Sequence, residues 1–144
     1  MTIFFDMDGT IVDFYGVEGW LDYLKEGNTF PYQFAKPLVR MASLARILNR
    51  LQKEGYRIGI ISWLSKSGTV EYNAEITAIK IAWLKKHLAS VQFDEINIVN
   101  YGVPKQLFAR TENDILFDDE KKNRDNWTGQ AYDVDAILEI LKGI

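Results

Sequence analysis

An apolar run gives way to acidic residues in the stretch Thr2-Ile3-Phe4-Phe5-Asp6-Met7-Asp8-Gly9-Thr10. Its first four residues carry no charge and are rich in β-formers, which is typical of a fully buried strand. Asp6 follows that strand directly, and Gly9 allows the chain to leave it by a sharp turn. The stretch therefore predicts a buried first strand with two carboxylates, those of Asp6 and Asp8, at its carboxyl end.

Further short apolar runs predict three more strands, and Ala131-Tyr132 is a candidate fifth. Apolar residues with a period near 3.6 predict the helices between them. Pro37 suits the first turn of one helix, Gly55 its end, and Asp133 the cap of a final helix. Buried strands that alternate with helices predict a three-layer α/β domain around a mostly parallel sheet of about five strands. The remaining ranges are 57–61, 96–99 and 115–117 for strands, and 37–51 and 72–88 for helices.

The segment 14–36 does not follow this alternation. It is rich in aromatic residues and is interrupted by glycines and by Pro31. We expect it to form a small insertion after the first strand, within a single domain that spans residues 1–144.

Composition excludes several kinds of protein. The chain has 144 residues, 47% of them hydrophobic, which suffices for a buried core. Because it has no cysteine, disulfides, zinc–thiolate sites and thiol catalysis are excluded. A formal net charge of −3 predicts no broad attraction to nucleic acid or to membranes. No signal peptide or membrane span is visible, so we expect a cytoplasmic protein.

Polar residues follow several of the predicted strands. Ligands of open α/β sheets bind at the carboxyl ends of the strands, where Asp6, Asp8, Ser62, Lys105 and the pair Asp118-Asp119 would meet. Clustered carboxylates repel one another, and a divalent cation relieves that repulsion. Ligands that are all oxygen favour magnesium over zinc. Ser62 and Lys105 add a hydrogen-bond donor and a positive charge for an anion, which together suit phosphoryl transfer. Lys66 is an alternative source of that charge.

These residues resemble the four motifs of the haloacid-dehalogenase-like (HAD) superfamily. Asp6-Met7-Asp8-Gly9-Thr10 is similar to the first motif, Ser62 after Ile60-Ile61 to the second, Lys105 to the third, and Leu116-Phe117-Asp118-Asp119 to the fourth. They occur in the family's order over nearly the whole chain. The resemblance implies a Rossmann-like core, a minimal cap formed by segment 14–36, and magnesium-dependent phosphatase activity.

The resemblance also implies roles for the catalytic residues. Asp6 would attack phosphorus and form an aspartyl-phosphate. Asp8 would protonate the leaving oxygen and later deprotonate the hydrolytic water. Ser62 would hydrogen-bond a phosphoryl oxygen, and Lys105 would hold the phosphoryl charge beside Asp6.

The same resemblance implies a metal site and further substrate contacts. Asp6, the backbone carbonyl of Asp8 and the carboxylate of Asp119 would bind Mg²⁺ directly, whereas Asp118 would bind it directly or through water. Backbone amides near Gly9 and Thr10 would contact the phosphoryl group.

The substrate is less well specified by the sequence. The stretch 6–14 is similar to the opening of 5′(3′)-deoxyribonucleotidases, which carry larger caps, and the chain also resembles small phosphatase-like proteins of phages and their bacterial hosts. Trp63 could stack on a nucleobase, an interaction worth roughly 1–3 kcal/mol. We therefore expect a small phosphorylated substrate such as a nucleoside monophosphate. A phosphate on a polynucleotide end or a phosphoprotein, and a non-catalytic binding module, remain the alternatives; no oligomeric state is predicted.

Overall fold

A computed structural model describes all 144 residues and contains one five-stranded sheet. All of its strand pairs are parallel, and the order is β3-β2-β1-β4-β5. This confirms the predicted α/β architecture, and the predicted strand bounds differ by at most two residues. The strands are β1 Thr2–Phe5, β2 Arg57–Trp63, β3 Glu95–Val99, β4 Ile115–Phe117 and β5 Ala131–Tyr132.

Six α-helices connect or flank these strands. None of them combines the length and the hydrophobicity that crossing a membrane requires. Single 3-10 turns occur at Lys105–Phe108 and Val134–Ala136, the second of them capped by the Asp133 side chain. The helices are α1 Trp20–Lys25, α2 Phe30–Phe34, α3 Met41–Lys53, α4 Val70–His87, α5 Lys121–Asn126 and α6 Ile137–Lys142.

The predicted start of a helix at Pro37 is wrong. Pro37 forms an antiparallel bridge with Val12, and the N–H of Leu38 donates to the carbonyl oxygen of Ile11 at 2.9 Å. This pairing keeps the backbone extended, so α3 begins only at Met41.

The two faces of the sheet are covered unequally. Ile3 and Phe5 of β1 join the larger core cluster, to which α3, α4 and α6 contribute. Phe4 points to the opposite face, where its ring meets Trp127 edge-on at 5.6 Å in a small cluster. β1 is buried along its whole length, as its sequence predicts.

The insertion 14–36 is anchored at both its base and its flank. At the base, the N–H of Asp13 donates to the carbonyl oxygen of Lys36 at 2.7 Å. At the flank, α4 donates two side-chain hydrogen bonds, from Tyr72 to Asn28 O and from Trp83 to Ala35 O, both at 2.9 Å. The insertion contains the two short helices α1 and α2 and is held against the core.

Candidate active site

The carboxylates of Asp6, Asp118 and Asp119 lie together at the carboxyl edge of the sheet. One oxygen from each lies within 4.8 Å of the others. The strand pairing causes this proximity, because the β1–β4 register places Phe5 opposite Phe117 and brings the two strand ends level. The N–H of Asp6 continues the ladder by donating to Phe117 O at 2.9 Å. The tips of the first and fourth strands therefore meet as the sequence predicts.

Lys105 connects two of these carboxylates. Its Nζ lies 2.8 Å from Asp6 Oδ1 and 2.7 Å from Asp118 Oδ2, and the side chain is only 2% exposed. Burial opposes the charge of this lysine, but the two carboxylates outweigh burial and raise its pKa. Lys66, the alternative cation, lies over the Tyr101 ring at 5.7 Å and makes no ion pair with the cluster.

The turn after β1 holds the acidic cluster through Thr10. Its hydroxyl lies 2.9 Å from Asp6 Oδ2, and it accepts a hydrogen bond from the N–H of Asp119 at 3.1 Å. Gly9 has φ +84°, and a Cβ there would collide with the Asp119 carboxylate. The N–H groups of Gly9 and Thr10 donate to Val12 O and Met7 O. These two amides, expected to contact the phosphoryl group, are therefore paired inside the turn, and the Thr10 hydroxyl connects the turn to the acidic cluster.

The backbone after β4 fixes Asp118 and Asp119. The N–H of Glu120 donates to Asp118 Oδ1 at 2.9 Å, and Asn123 Nδ2 donates to Asp118 Oδ2 at 3.2 Å. Arg124 donates to the carbonyl oxygens of both aspartates, at 3.0 Å and 2.8 Å. The Asp119 carboxylate has fewer protein partners than that of Asp118. That Asp119 is the direct metal ligand stays a prediction.

Burial and crowding raise the pKa of two carboxyl groups in the acidic cluster. Burial, followed by the charge of Asp6, raises the pKa of Asp118 to about 6 and that of Asp119 to about 8. The four carboxylates and two buried ammonium groups of the site leave a formal charge of −2. An oxygen-only set with this charge fits a divalent cation such as Mg²⁺.

Asp8 belongs to a second polar group, centred on Lys80. The Nζ of Lys80 donates to Asp8 Oδ2 at 3.0 Å, to Ser62 Oγ at 2.7 Å and to the Trp63 carbonyl oxygen at 2.7 Å. Burial raises the pKa of Asp8, and the charge of Lys80 only partly offsets this effect. Lys80 was not among the site residues predicted from the sequence. The available signal was a lysine within the apolar stripe of α4, between Ile76 and Leu84 at spacings of four.

Ser62 lies inside β2, one residue before its end, and is 1% exposed. Its hydroxyl oxygen accepts from Lys80, and the residue does not line the open cleft. Trp63 does line it. The Trp63 ring lies 5.1 Å from Lys105 Nζ and 4.9 Å from the Tyr101 ring, and its Nε1 donates to Val103 O at 2.8 Å.

A cleft of about 310 Å³ opens above the acidic cluster. Asp6, Asp8 and Lys105 contribute to its floor, and Trp63 and Tyr101 to one wall. The insertion supplies a wall of mainly aromatic side chains, namely Phe14, Tyr15, Trp20, Leu24 and Tyr32.

Comparison with known proteins gives structural similarity only. No protein-family model matches the sequence, and no curated protein matches it. Among solved structures, the D,D-heptose 1,7-bisphosphate phosphatase from Burkholderia thailandensis aligns over 99% of both chains with a TM-score of 0.56 and 11% sequence identity. The fold is haloacid-dehalogenase-like. At this identity the likeness concerns the fold and not the activity.

Segment 14–36, the expected cap, lies beside the cleft. It follows β1, and its aromatic residues face the same cleft as Asp6 and Asp8. Its two helices have six and five residues, so the insertion is small. Hydrogen bonds from Tyr72 and Trp83 attach it to α4.

Proposed function

We propose that the protein is a magnesium-dependent phosphomonoester hydrolase that works through an aspartyl-phosphate on Asp6. The proposal is carried by one observation: three carboxylates converge at the strand ends while Lys105 joins Asp6 to Asp118. A bound Mg²⁺, held by Asp6, Asp119, the Asp8 carbonyl and Asp118, would neutralise phosphoryl charge and orient the phosphoryl group. The residues of the chain supply the nucleophile, the acid–base group and a fixed positive charge.

The first step forms the covalent intermediate. A carboxylate oxygen of Asp6 attacks phosphorus, an O–P bond forms, and the bond from phosphorus to the leaving oxygen breaks. A proton moves from Asp8 to that oxygen, so an alcohol departs. Lys105 uses two of its three N–H groups on Asp6 and Asp118, and the third is available to a phosphoryl oxygen.

The second step releases phosphate. Water attacks the phosphorus of the aspartyl-phosphate, Asp8 takes a proton from that water, and the bond between phosphorus and Asp6 breaks. The products are inorganic phosphate, ionised Asp6 and protonated Asp8. The carboxyl group of Asp8 supports hydrolysis over dehalogenation, because a halide leaving group needs no proton.

The size and lining of the cleft support a small substrate. About 310 Å³ lies at the lower end of the range for small-molecule sites, roughly 300–1,000 Å³. The aromatic walls favour a phosphate ester with a flat or apolar group, and a nucleoside monophosphate satisfies both conditions. Trp63, which lies beside Lys105, and its neighbour Tyr101 are the rings on which a base would stack.

The test is hydrolysis of p-nitrophenyl phosphate with Mg²⁺ or with EDTA, followed by a panel of nucleoside monophosphates, sugar phosphates and 5′- or 3′-phosphorylated oligonucleotides. We expect turnover with Mg²⁺ only, and its loss in Asp6→Asn. Asp135→Asn is a matched control, because that aspartate is exposed and does not line the cleft. Acid-quenched enzyme should carry a phosphoryl group that Asp6→Asn lacks.

One result would contradict the proposed chemistry, and another would contradict only the proposed small substrate. Absence of phosphomonoesterase activity in the wild type would favour the binding module. A preference for oligonucleotides over every small ester would keep the chemistry and move the substrate to a macromolecule.

A further inference from the structure

We propose that Lys80 is a positioning residue of this hydrolase, which holds the Asp8 carboxyl group where it can meet the leaving oxygen of the substrate. The inference rests on the proposed function and deepens it. It concerns a residue of the middle of α4, far in sequence from the four motifs.

Burial makes Lys80 unusual. It is 2% exposed and occupies a core-facing position of α4, where Ile76 and Leu84 continue the apolar stripe. Removing an ammonium group from water is strongly unfavourable unless the charge is paired and all of its hydrogens are bonded. An apolar side chain would satisfy packing at this position, so packing alone does not explain the lysine.

The hydrogen bonds of Lys80 distinguish it from a lysine that binds substrate. An ammonium group has three hydrogens, and Lys80 donates one each to Asp8, Ser62 and the Trp63 carbonyl. No hydrogen remains for a phosphoryl oxygen. Lys105, in contrast, lines the cleft and has one hydrogen unused by the protein.

The three partners also show what Lys80 connects. Ser62 and Trp63 belong to β2, which pairs with β1 and β3 inside the sheet, whereas Asp8 lies in the turn after β1. Lys80 therefore ties a turn residue to a rigid strand end. The carboxylate of Asp8 stays outside the group of three that could share a cation. Lys80 is the only hydrogen-bond and ion-pair partner of the Asp8 carboxylate in the structure.

Leaving-group dependence tests this role. Protonation matters for an alkyl phosphate, whose alcohol is a poor leaving group, and hardly for p-nitrophenyl phosphate, whose phenolate leaves unaided. General acid catalysis contributes about 10²–10⁴-fold, so Lys80→Met should lower kcat/KM for glycerol phosphate by about 10- to 100-fold. The value for p-nitrophenyl phosphate should change by less than about threefold. The ratio kcat/KM is the appropriate quantity because it reports only the steps up to the aspartyl-phosphate.

Two further variants complete the experiment. Lys86→Met removes an exposed ammonium group from the same helix and should leave both substrates unaffected. In an Asp8→Asn background, Lys80→Met should add no further loss, because residues that act through one another are not additive. The double variant buries neither charge, so this comparison stays informative if Lys80→Met alone does not fold.

Equal losses on both substrates, or a further loss in the Asp8→Asn background, would overturn the inference and leave the proposed hydrolase intact. Unchanged alkyl phosphate hydrolysis in a folded Lys80→Met would do the same. A wild type without activity on either ester would instead remove the proposed function, and the inference with it.

Discussion

Replacing Lys105 with methionine tests the electrostatic design of the site. Lys105 is buried between Asp6 and Asp118, at 2.8 Å and 2.7 Å, and methionine retains most of its volume without the charge. The change leaves two buried carboxylates unpaired and makes the formal charge of the site more negative by one. Losing one partner of a buried ion pair costs about 3–5 kcal/mol.

Such a loss is a large part of a typical total stability of about 5–15 kcal/mol. At about 2–4 °C per kcal/mol for a chain of this size, Tm should fall by about 6–20 °C. The loss should be smaller at pH 5.5 than at pH 8, because Asp118 escapes the repulsion by taking up a proton. Mg²⁺ should stabilise Lys105→Met more than it stabilises the wild type, since the cation replaces part of the missing charge.

The assay is urea denaturation followed by circular dichroism, at both pH values, with EDTA or with Mg²⁺. Lys66→Met is the matched control, because Lys66 is an exposed lysine of the same cleft, and it should change the free energy of unfolding by less than about 0.5 kcal/mol. A Lys105→Met protein as stable as the wild type in EDTA at pH 8 would refute the reasoning. So would a smaller response to Mg²⁺ in the variant, because the carboxylates would then not form the cation site.

Three other changes have defined outcomes. Burial and Asp6 raise the folded-state pKa of Asp118 to about 6 and of Asp119 to about 8, so the folded state binds more protons than the unfolded state. With EDTA, the free energy of unfolding should therefore fall as pH rises from near 4 to about 8 and then level off. Mg²⁺ should flatten this pH dependence, as measured by urea titrations. Gly9→Ala should abolish the Mg²⁺-induced rise in Tm, measured by calorimetry, because the new Cβ meets the Asp119 carboxylate at φ +84°. Tyr101→Ala should raise KM for nucleoside monophosphates by about tenfold while leaving p-nitrophenyl phosphate unchanged, as loss of about 1–3 kcal/mol of stacking requires; equal effects on both substrates would exclude stacking.

The sheet was predictable because its strands are short apolar runs with polar residues at their ends. Thr2–Phe5 and Ile115–Phe117 contain no charged residue and are followed by aspartates, so both the bounds and the burial of these strands could be predicted from the sequence. The edge strand Glu95–Val99 is only partly buried, and it begins one residue before the predicted start. Pro37 was misassigned because proline suits both a first helical turn and an extended bridge, and only the pairing with Val12 decides between them.

The acidic cluster was predictable because its residues directly follow two neighbouring strands. Asp6, Asp118 and Asp119 depend only on strand order, which parallel pairing fixes. Lys80 could not be placed in this way, because its contact with Asp8 spans 72 residues and depends on how α4 packs on the sheet. A lysine in an apolar stripe is ambiguous in a sequence, since its long stem can reach solvent from many helix faces.

The two buried lysines reduce the negative charge of the site and differ in what they can bind. They neutralise half of the formal charge of the four carboxylates, and the remaining charge of −2 would attract a divalent ion. The two lysines also differ in their unused hydrogens. Lys105 keeps one for an incoming phosphoryl group, whereas Lys80 has none and is restricted to holding Asp8. In the proposed hydrolase, one ammonium group would therefore bind the substrate while the other would hold Asp8 in position.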